Sequence, residues 1–125
     1  MKKLFVLVTV LFSSTLFAQT DVPFNKTEHN FGKIKQHVPA TYTFSYTNTT
    51  SKPLVVEVAT AECGCTTPEY SKEPTPKGKT STIKVTFNAE NPGNFSKKVT
   101  VKFANIAVPS ILTIKGEVVV AAKTK

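Results

Sequence analysis

Arginine is absent from this chain of 125 residues, and all 16 of its basic residues are lysines. Arginine makes most of the bidentate contacts by which proteins hold phosphates and guanine edges. The lysines are spread along the chain, with local clusters only at Lys97-Lys98 and Lys77-Gly78-Lys79. The net charge is +8. We interpret the lysines as residues of solvated strand faces that also protect sheet edges, and we expect no nucleic-acid partner.

Residues for catalysis are equally scarce. Asp21 is the only aspartate, so a Ser-His-Asp triad would have to use it. It lies in a lead-in segment before the first predicted strand. The sequence has no Gly-x-Ser-x-Gly elbow and no phosphate-binding loop, and its glutamates show no paired-carboxylate spacing. We expect no enzymatic activity and no catalytic residues.

A long apolar run occurs only near the start of the chain. The positive stretch Met1–Lys3 precedes an apolar stretch from Leu4 to Phe12, and small and polar residues then lead to Ala18 and Gln19. This order predicts a secretory signal peptide over residues 1–18, cleaved between Ala18 and Gln19. The run is too short to span a bilayer as an anchor.

The predicted cleavage leaves residues 19–125, which is the length of a single domain. No cysteine follows the cleavage point for lipid attachment, and no later segment is a transmembrane candidate. We expect a soluble exported protein, periplasmic or secreted, that is not a lipoprotein. Such a compartment is oxidising, which favours disulfide formation.

The rest of the chain alternates apolar and polar residues with a period of two, the pattern of half-buried β-strands. The clearest block is Ala40 to Thr49, where Tyr42, Phe44 and Tyr46 take the core face. The other predicted strands are Thr27–Gly32, Leu54–Ala61, Thr66–Tyr70, Lys79–Asn88, Phe95–Phe103 and Ser110–Val120. Short strands separated by proline and glycine turns predict an all-β sandwich of about seven strands.

Three finer expectations follow from the same pattern. Val58 and Val120 are predicted to face the core, because each lies two residues from another inward apolar residue. Gly116 interrupts the last strand and is predicted to mark a bulge. Pro68 is predicted to confine the Thr66–Tyr70 strand to a sheet edge.

Both cysteines lie in one loop, Cys63 and Cys65, with Gly64 between them. In an extended segment their Cα atoms would be ~6.8 Å apart, at the outer limit for a disulfide, so a bond requires a turn at Gly64. A loop of three residues stabilises a fold by only about 1.6 kcal/mol. A disulfide or dithiol pair here is therefore more plausible as a labile or redox-active group than as a structural crosslink. We expect Gly64, Thr66 and Pro68 to shape this loop.

Two other interpretations of the cysteines stay open. A pair of thiolates on one face could bind a soft ion such as copper(I) or zinc, and His29 and His37 could complete the site. Structural zinc sites need four ligands, and nothing in the sequence brings either histidine close to the cysteines, so no metal is expected. The remaining interpretation is that Cys63 and Cys65 are small packing residues.

Several motifs together resemble the bacterial envelope family catalogued as domain of unknown function 1573. In chain order they are Asn30-Phe31-Gly32-Lys33-Ile34, Tyr42-Thr43-Phe44-Ser45-Tyr46-Thr47-Asn48, Pro53-Leu54, Glu62-Cys63-Gly64-Cys65-Thr66-Thr67-Pro68-Glu69-Tyr70, Pro76-Lys77-Gly78, Ile83-Lys84-Val85-Thr86-Phe87, Pro92-Gly93-Asn94-Phe95 and Leu112-Thr113-Ile114-Lys115-Gly116-Glu117-Val118. The Cys-Gly-Cys-Thr core is the most specific part, and the likeness covers nearly all of the predicted mature chain.

The resemblance implies an immunoglobulin-like fold, akin to major-sperm-protein and pilus-chaperone sandwiches, and implies no established activity. One departure is Thr75, where the family usually has an aliphatic residue, so slightly weaker core packing is expected there. We expect a non-enzymatic interaction or structural module of the cell envelope with a protein partner. The alternative is a thiol-redox or copper-handling protein that acts through Cys63 and Cys65.

Overall fold

The computed structural model of the protein describes residues 21–120, which fold into two stacked β-sheets. The predicted signal peptide, the cleavage point between Ala18 and Gln19, and the tail 121–125 lie outside the described residues. Within residues 21–120 the regular structure is entirely β. No helix in this range is long and apolar enough to cross a bilayer.

Seven strands form the sandwich in the described part of the chain, as the sequence predicts. They are β1 (Glu28–Lys35), β2 (Ala40–Thr47), β3 (Val56–Ala61), β4 (Thr66–Tyr70), β5 (Thr80–Phe87), β6 (Gly93–Phe103) and β7 (Ser110–Val119). One sheet has the order β1-β7-β6-β3 and the other has the order β2-β5-β4. All neighbours are antiparallel except β1 and β7, which are parallel. The immunoglobulin-like, all-β prediction is confirmed.

The core lies between the two sheets and is built from alternate residues of the central strands. In β2 and β5, Phe44 lies directly opposite Ile83, and both side chains are fully buried. The buried residues of β6 and β7 face them from the other sheet and are Val99, Val101, Phe103, Leu112, Ile114 and Val118. Period-two patterning therefore places one face of each central strand in the core.

Thr75 gives the buried Tyr46 a polar partner. Its Oγ1 lies 3.4 Å from the Tyr46 hydroxyl, and both residues are buried. Thr75 also exchanges two backbone hydrogen bonds with Leu54, at 2.9 and 2.8 Å. A buried tyrosine hydroxyl without a hydrogen-bond partner would destabilise the fold. Thr75 supplies that partner, which compensates for the apolar contact that an aliphatic residue would make at this position.

Asn48 ties the turn after β2 to the segment before β5. Its fully buried side-chain amide donates to the carbonyls of Lys52 and Thr75, both at 2.8 Å. Its Oδ1 accepts hydrogen bonds from the backbone N–H and the hydroxyl of Thr50. Its own backbone pairs with Lys79 and Gly78. A buried amide is tolerated because all of its polar groups are satisfied.

Two of the predicted inward positions are wrong. Val58 is 40% exposed, because a bulge between Val56 and Val58 shifts the pairing with β6 and reverses the alternation. Ala59 and Ala61 pack against the core instead. Val120 is 63% exposed, since β7 ends at Val119.

The first strand is longer than predicted and carries the bulge expected at Gly116. β1 continues through Gly32 to Lys35, and two residues, Phe31 and Gly32, lie opposite Gly116 of β7. The extra residue is accommodated by a left-handed backbone at Gly32, with a φ of 69°. A Cβ at Gly116 would lie 2.7 Å from the carbonyl oxygen of Gly32 and 3.0 Å from the ring of Phe95. Gly116 thus permits a close approach of two backbones, and the bulge itself is in β1.

We predict that Gly116→Ala lowers the free energy of unfolding by about 1–3 kcal/mol, because the added methyl group collides with a backbone carbonyl that cannot move freely. Urea-induced unfolding of the variant measures the loss. Gly64→Ala is the matched control, because a Cβ at Gly64 meets nothing within 4 Å and its φ is not positive. We expect it to change stability by less than about 0.5 kcal/mol. Equal stability of the two variants would contradict the prediction.

Candidate functional site

The cysteine loop, Glu62–Cys65, carries the chain from β3 in one sheet to β4 in the other. The backbone N–H of Thr66 donates to the Cys63 carbonyl at 3.4 Å, which closes a tight turn. The Cα atoms of Cys63 and Cys65 are 5.3 Å apart, well inside the range that a disulfide requires. The turn expected at Gly64 is present, and it forms without a left-handed backbone at that residue.

Hydrogen bonds fix each end of the loop to a different sheet. The backbone N–H of Glu62 donates to the Lys98 carbonyl at 3.2 Å, and the Lys98 N–H donates to the Glu62 carboxylate at 3.0 Å. At the other end, the Asn88 N–H donates to the Cys65 carbonyl at 2.9 Å. Sequence reasoning missed Glu62 and Asn88, because their roles depend on partners distant in the chain.

The sulfur atoms of Cys63 and Cys65 lie in bonding contact, and both residues are partly buried. Beneath them lies the hydroxyl of Thr66, whose residue is buried. Its Oγ1 is 3.8 Å from the Cys63 sulfur and 3.7 Å from the Cys65 sulfur. Sulfur atoms joined in a disulfide carry no hydrogen, so in that state the hydroxyl must be the donor of any hydrogen bond to them.

A cavity of about 160 Å³ opens beside Cys65. Its walls include the rings of Phe87 and Phe95, which stack with centroids 4.0 Å apart. Lys97 and Glu90 contribute one charge of each sign, and Cys63 is not part of the wall. The two cysteines therefore differ in their surroundings, although their spacing in the sequence makes them look equivalent.

The other predicted loop residues lie where the sequence places them. Gly64 is exposed, and a side chain there would meet open space. Pro68 lies in β4, opposite Val85 of β5. β4 is an edge strand of the three-stranded sheet, so the edge prediction for Pro68 is confirmed.

The structure does not bring His29 to the cysteines. His29 lies on β1, and its ring stacks on Tyr42 of β2 at 3.7 Å with an angle of 8° between the planes. β1 and β2 form one side of the sandwich, whereas the cysteine loop joins β3 and β4 on the other. Within residues 21–120, no three His, Cys, Asp or Glu residues are grouped as metal ligands. A soft ion such as copper(I) would have to rely on the two thiolates of the reduced pair.

A wider cavity of about 400 Å³ lies around the bulge of β1. Its walls combine Phe95 with polar and charged residues, including Asn30, Lys33, Asn94 and Lys115. It contains no cysteine or histidine, so the residues with distinctive chemistry are those of the cysteine loop.

The profile of a family described as "Protein of unknown function (DUF1573)" matches residues 22–118. No curated protein matches the chain. A solved protein of unknown function from Porphyromonas gingivalis W83 is similar, with a TM-score of 0.66 and 14% identity, over 83% of this chain and 50% of that one. The ASH / PapD-like domain 7 of human CEP192 gives a TM-score of 0.65 and 9% identity, over 83% and 89% of the two chains.

The secreted serine protease VesC from Vibrio cholerae is also similar, with a TM-score of 0.64 and 10% identity, over 84% of this chain and 24% of that one. The chain thus spans half the length of the Porphyromonas protein and about a quarter of the protease. At these identities the likeness shows the fold alone.

We predict that Cys63 and Cys65 form an intramolecular disulfide in protein purified without reductant, because the turn brings their sulfur atoms into bonding contact. Intact mass should fall short of the reduced mass by the two thiol hydrogens, and an alkylating reagent should add no label. After reduction two labels should add, and Cys63→Ser should take up one label without reduction. Two labels on the untreated protein would contradict the prediction.

We predict that the free energy of unfolding declines as the pH falls below the ordinary histidine pKa of 6.5. Burial, and secondarily the charge of Lys26, lower the pKa of His29. The unfolded chain therefore takes up a proton before the folded protein does, so stability is retained above 6.5 and lost as the pH falls towards the folded pKa. Chemical denaturation at several pH values between about 7.5 and 5.5 measures this slope.

His29→Gln should flatten the slope in this range, whereas His37→Gln, a change at an exposed histidine, is the control and should leave the slope unchanged. The prediction fails if the wild type and His29→Gln lose stability in parallel as the pH falls.

Proposed function

The chain belongs to the DUF1573 family, and from its geometry we propose that it is a non-enzymatic, exported module that binds a protein partner of the cell envelope. The partner contributes an extended strand that pairs with the free edge of β3. The observation that carries the proposal is that, within residues 21–120, β3 pairs only with β6 and has the least protected edge of the sandwich.

The other three sheet edges carry features that disfavour an added strand. β1 has the bulge at Gly32 and two lysines, Lys33 and Lys35. β4 has Pro68, which has no N–H to donate. The lead-in residues Pro23–Asn25 already cover part of β2, through backbone hydrogen bonds to Ser45 and Thr47 of 2.9 and 3.1 Å.

The edge of β3 beyond its bulge has no such protection. From Val58 to Ala61 it contains neither lysine nor proline. The backbone N–H of Glu62 donates to the Lys98 carbonyl, so Glu62 and Lys98 form a hydrogen-bonded pair of the ladder between β3 and β6. Hydrogen-bonded and non-hydrogen-bonded pairs alternate along an antiparallel ladder. The backbone N–H and C=O groups of Ala59 and Ala61 therefore point away from β6. They can pair with a strand from another chain, which is a common mode of recognition by sandwich domains.

Two further observations support the rest of the proposal. The start of the chain has the features of a secretory signal, and cysteines placed to form a disulfide suit an oxidising compartment. A Ser-His-Asp triad would have to use Asp21, the only aspartate in the sequence, which lies in the lead-in before β1. The likeness to the protease does not support a protease activity for this chain, because it covers about a quarter of that protein.

A second candidate function is thiol-redox or copper handling at Cys63 and Cys65. The contact of both sulfur atoms with the Thr66 hydroxyl favours it. Copper handling requires the reduced pair, because only thiolates bind the ion.

We predict that an affinity-tagged domain captures a partner from an envelope extract, and that Val58→Lys prevents the capture. A lysine on an edge strand discourages the addition of another strand. Ile111→Lys is the matched control, because Ile111 is an exposed aliphatic residue, at 44%, on the internal strand β7. Bound proteins are identified by mass spectrometry after washing, under both oxidising and reducing conditions.

Ala59→Pro is a second test variant, since it removes an N–H that points away from β6 and should leave the ladder within the sheet intact. The partner should be retained by the wild type and Ile111→Lys and lost with the two β3 variants. We would abandon the proposal if no partner were captured, or if the β3 variants captured it equally well.

A further inference from the structure

We propose that Cys63 and Cys65 form a thiol-exchange site in which the two sulfurs have different roles. A cysteine thiolate enters the cavity beside Cys65 and attacks the Cys65 sulfur, and Cys63 leaves as a thiolate that the Thr66 hydroxyl stabilises. This activity is separate from strand binding at β3, and it does not depend on that function.

The cavity distinguishes Cys65 from Cys63 as the residue that an incoming thiol can meet. Cys65 forms part of the cavity wall and Cys63 does not. The volume of about 160 Å³ is that of several water molecules, so the thiol of an incoming cysteine can be accommodated. Lys97 and Glu90 place opposite charges on the wall, so recognition depends on fit against the stacked rings of Phe87 and Phe95 more than on net charge.

Thr66 is placed to act on the leaving group. Its hydroxyl is buried, and within residues 21–120 its only side-chain hydrogen-bond partners are the two cysteine sulfurs. A thiolate accepts a hydrogen bond more strongly than a disulfide sulfur does, so the contact strengthens as charge develops on Cys63. Exchange is faster when the leaving thiol is more acidic. Thr66 thus contacts the reacting sulfurs directly and forms no covalent bond in the exchange.

The atoms and electrons of the exchange balance without an external oxidant. The incoming thiolate forms a bond to the Cys65 sulfur, the bond between Cys65 and Cys63 breaks, and its electron pair stays on the Cys63 sulfur. A second thiolate on the same partner can then displace Cys65. The partner leaves with a disulfide, and the two cysteines remain as a reduced pair.

The cysteine loop is exposed to solvent at Gly64. Gly64 is exposed, and no atom outside its two chain neighbours would lie within 4 Å of a Cβ at that position. The two ends of the loop are held by Glu62 and by the Cys65 carbonyl, so the sulfurs are presented from a fixed frame. An incoming chain can therefore approach without displacing a side chain of the loop.

The first test locates the adduct. Oxidised full-length protein is mixed with glutathione, quenched with acid, alkylated with N-ethylmaleimide and sequenced by tandem mass spectrometry, which separates positions 63 and 65. We expect glutathione on Cys65 and the maleimide on Cys63. An adduct mainly on Cys63, or no adduct after prolonged exposure, would overturn the proposal.

A parallel arm distinguishes the source of the thiol. A synthetic peptide with two cysteines is compared with glutathione at equal thiolate concentration. Faster exchange with the peptide, with formation of its disulfide, assigns the site to polypeptide thiols, and faster exchange with glutathione assigns it to a small thiol. Val58→Lys should exchange at the wild-type rate, so a failure of strand binding and a failure of exchange can be told apart.

The second test isolates the Thr66 hydroxyl. Thr66→Val keeps the shape of the side chain and removes the donor, and we expect it to slow exchange about tenfold. In a Cys65→Ser background, Thr66→Val should also shift the alkylation profile of Cys63 to higher pH. Thr66→Ser should restore both measurements, and Thr67→Val, a change at an exposed neighbour on β4, is the control. Wild-type rates in Thr66→Val, with the fold intact by circular dichroism, would refute the role of Thr66.

Discussion

The crossing from β3 to β4 is the constraint on which the site depends. Four residues, Glu62–Cys65, must carry the chain from one layer of the sandwich to the other, and packed sheets lie about 10 Å apart. Hydrogen bonds from Lys98 on one side and Asn88 on the other hold the ends of this link. The sulfurs are brought together by the same tight turn that joins the layers, so their proximity follows from the architecture of the sandwich.

The strand pattern of the sequence predicts most of the fold, because burial on one face leaves a direct mark on residue order. β2 and β5 show this best, with Phe44 and Ile83 paired in the core. The bulges are the exceptions. Val58 and Gly32 lie where one strand gains a residue relative to its partner, and that register depends on β6 and β7. A local pattern does not contain this information.

The site is predictable from the sequence only in part, for a similar reason. Two cysteines separated by one glycine are visible in the sequence, and a disulfide between them requires a turn at Gly64. The position of Thr66 beneath both sulfurs and the cavity beside Cys65 depend on how β4 meets the loop after β5. His29 illustrates the opposite outcome, since a residue type suited to metal binding lies on the far side of the sandwich, where it packs as an aromatic ring on Tyr42.

The pairing of β1 with β7 has a consequence for the order in which the chain can fold. These strands come from opposite ends of the described sequence, yet they lie side by side in one sheet. During synthesis β1 appears first and must wait for nearly the entire chain before its neighbour exists. Such non-local pairing slows folding, since the entropy of closing a long loop is lost before any contact compensates for it. A chain released before β7 would leave β6 exposed along one side and prone to pair with strands of other molecules.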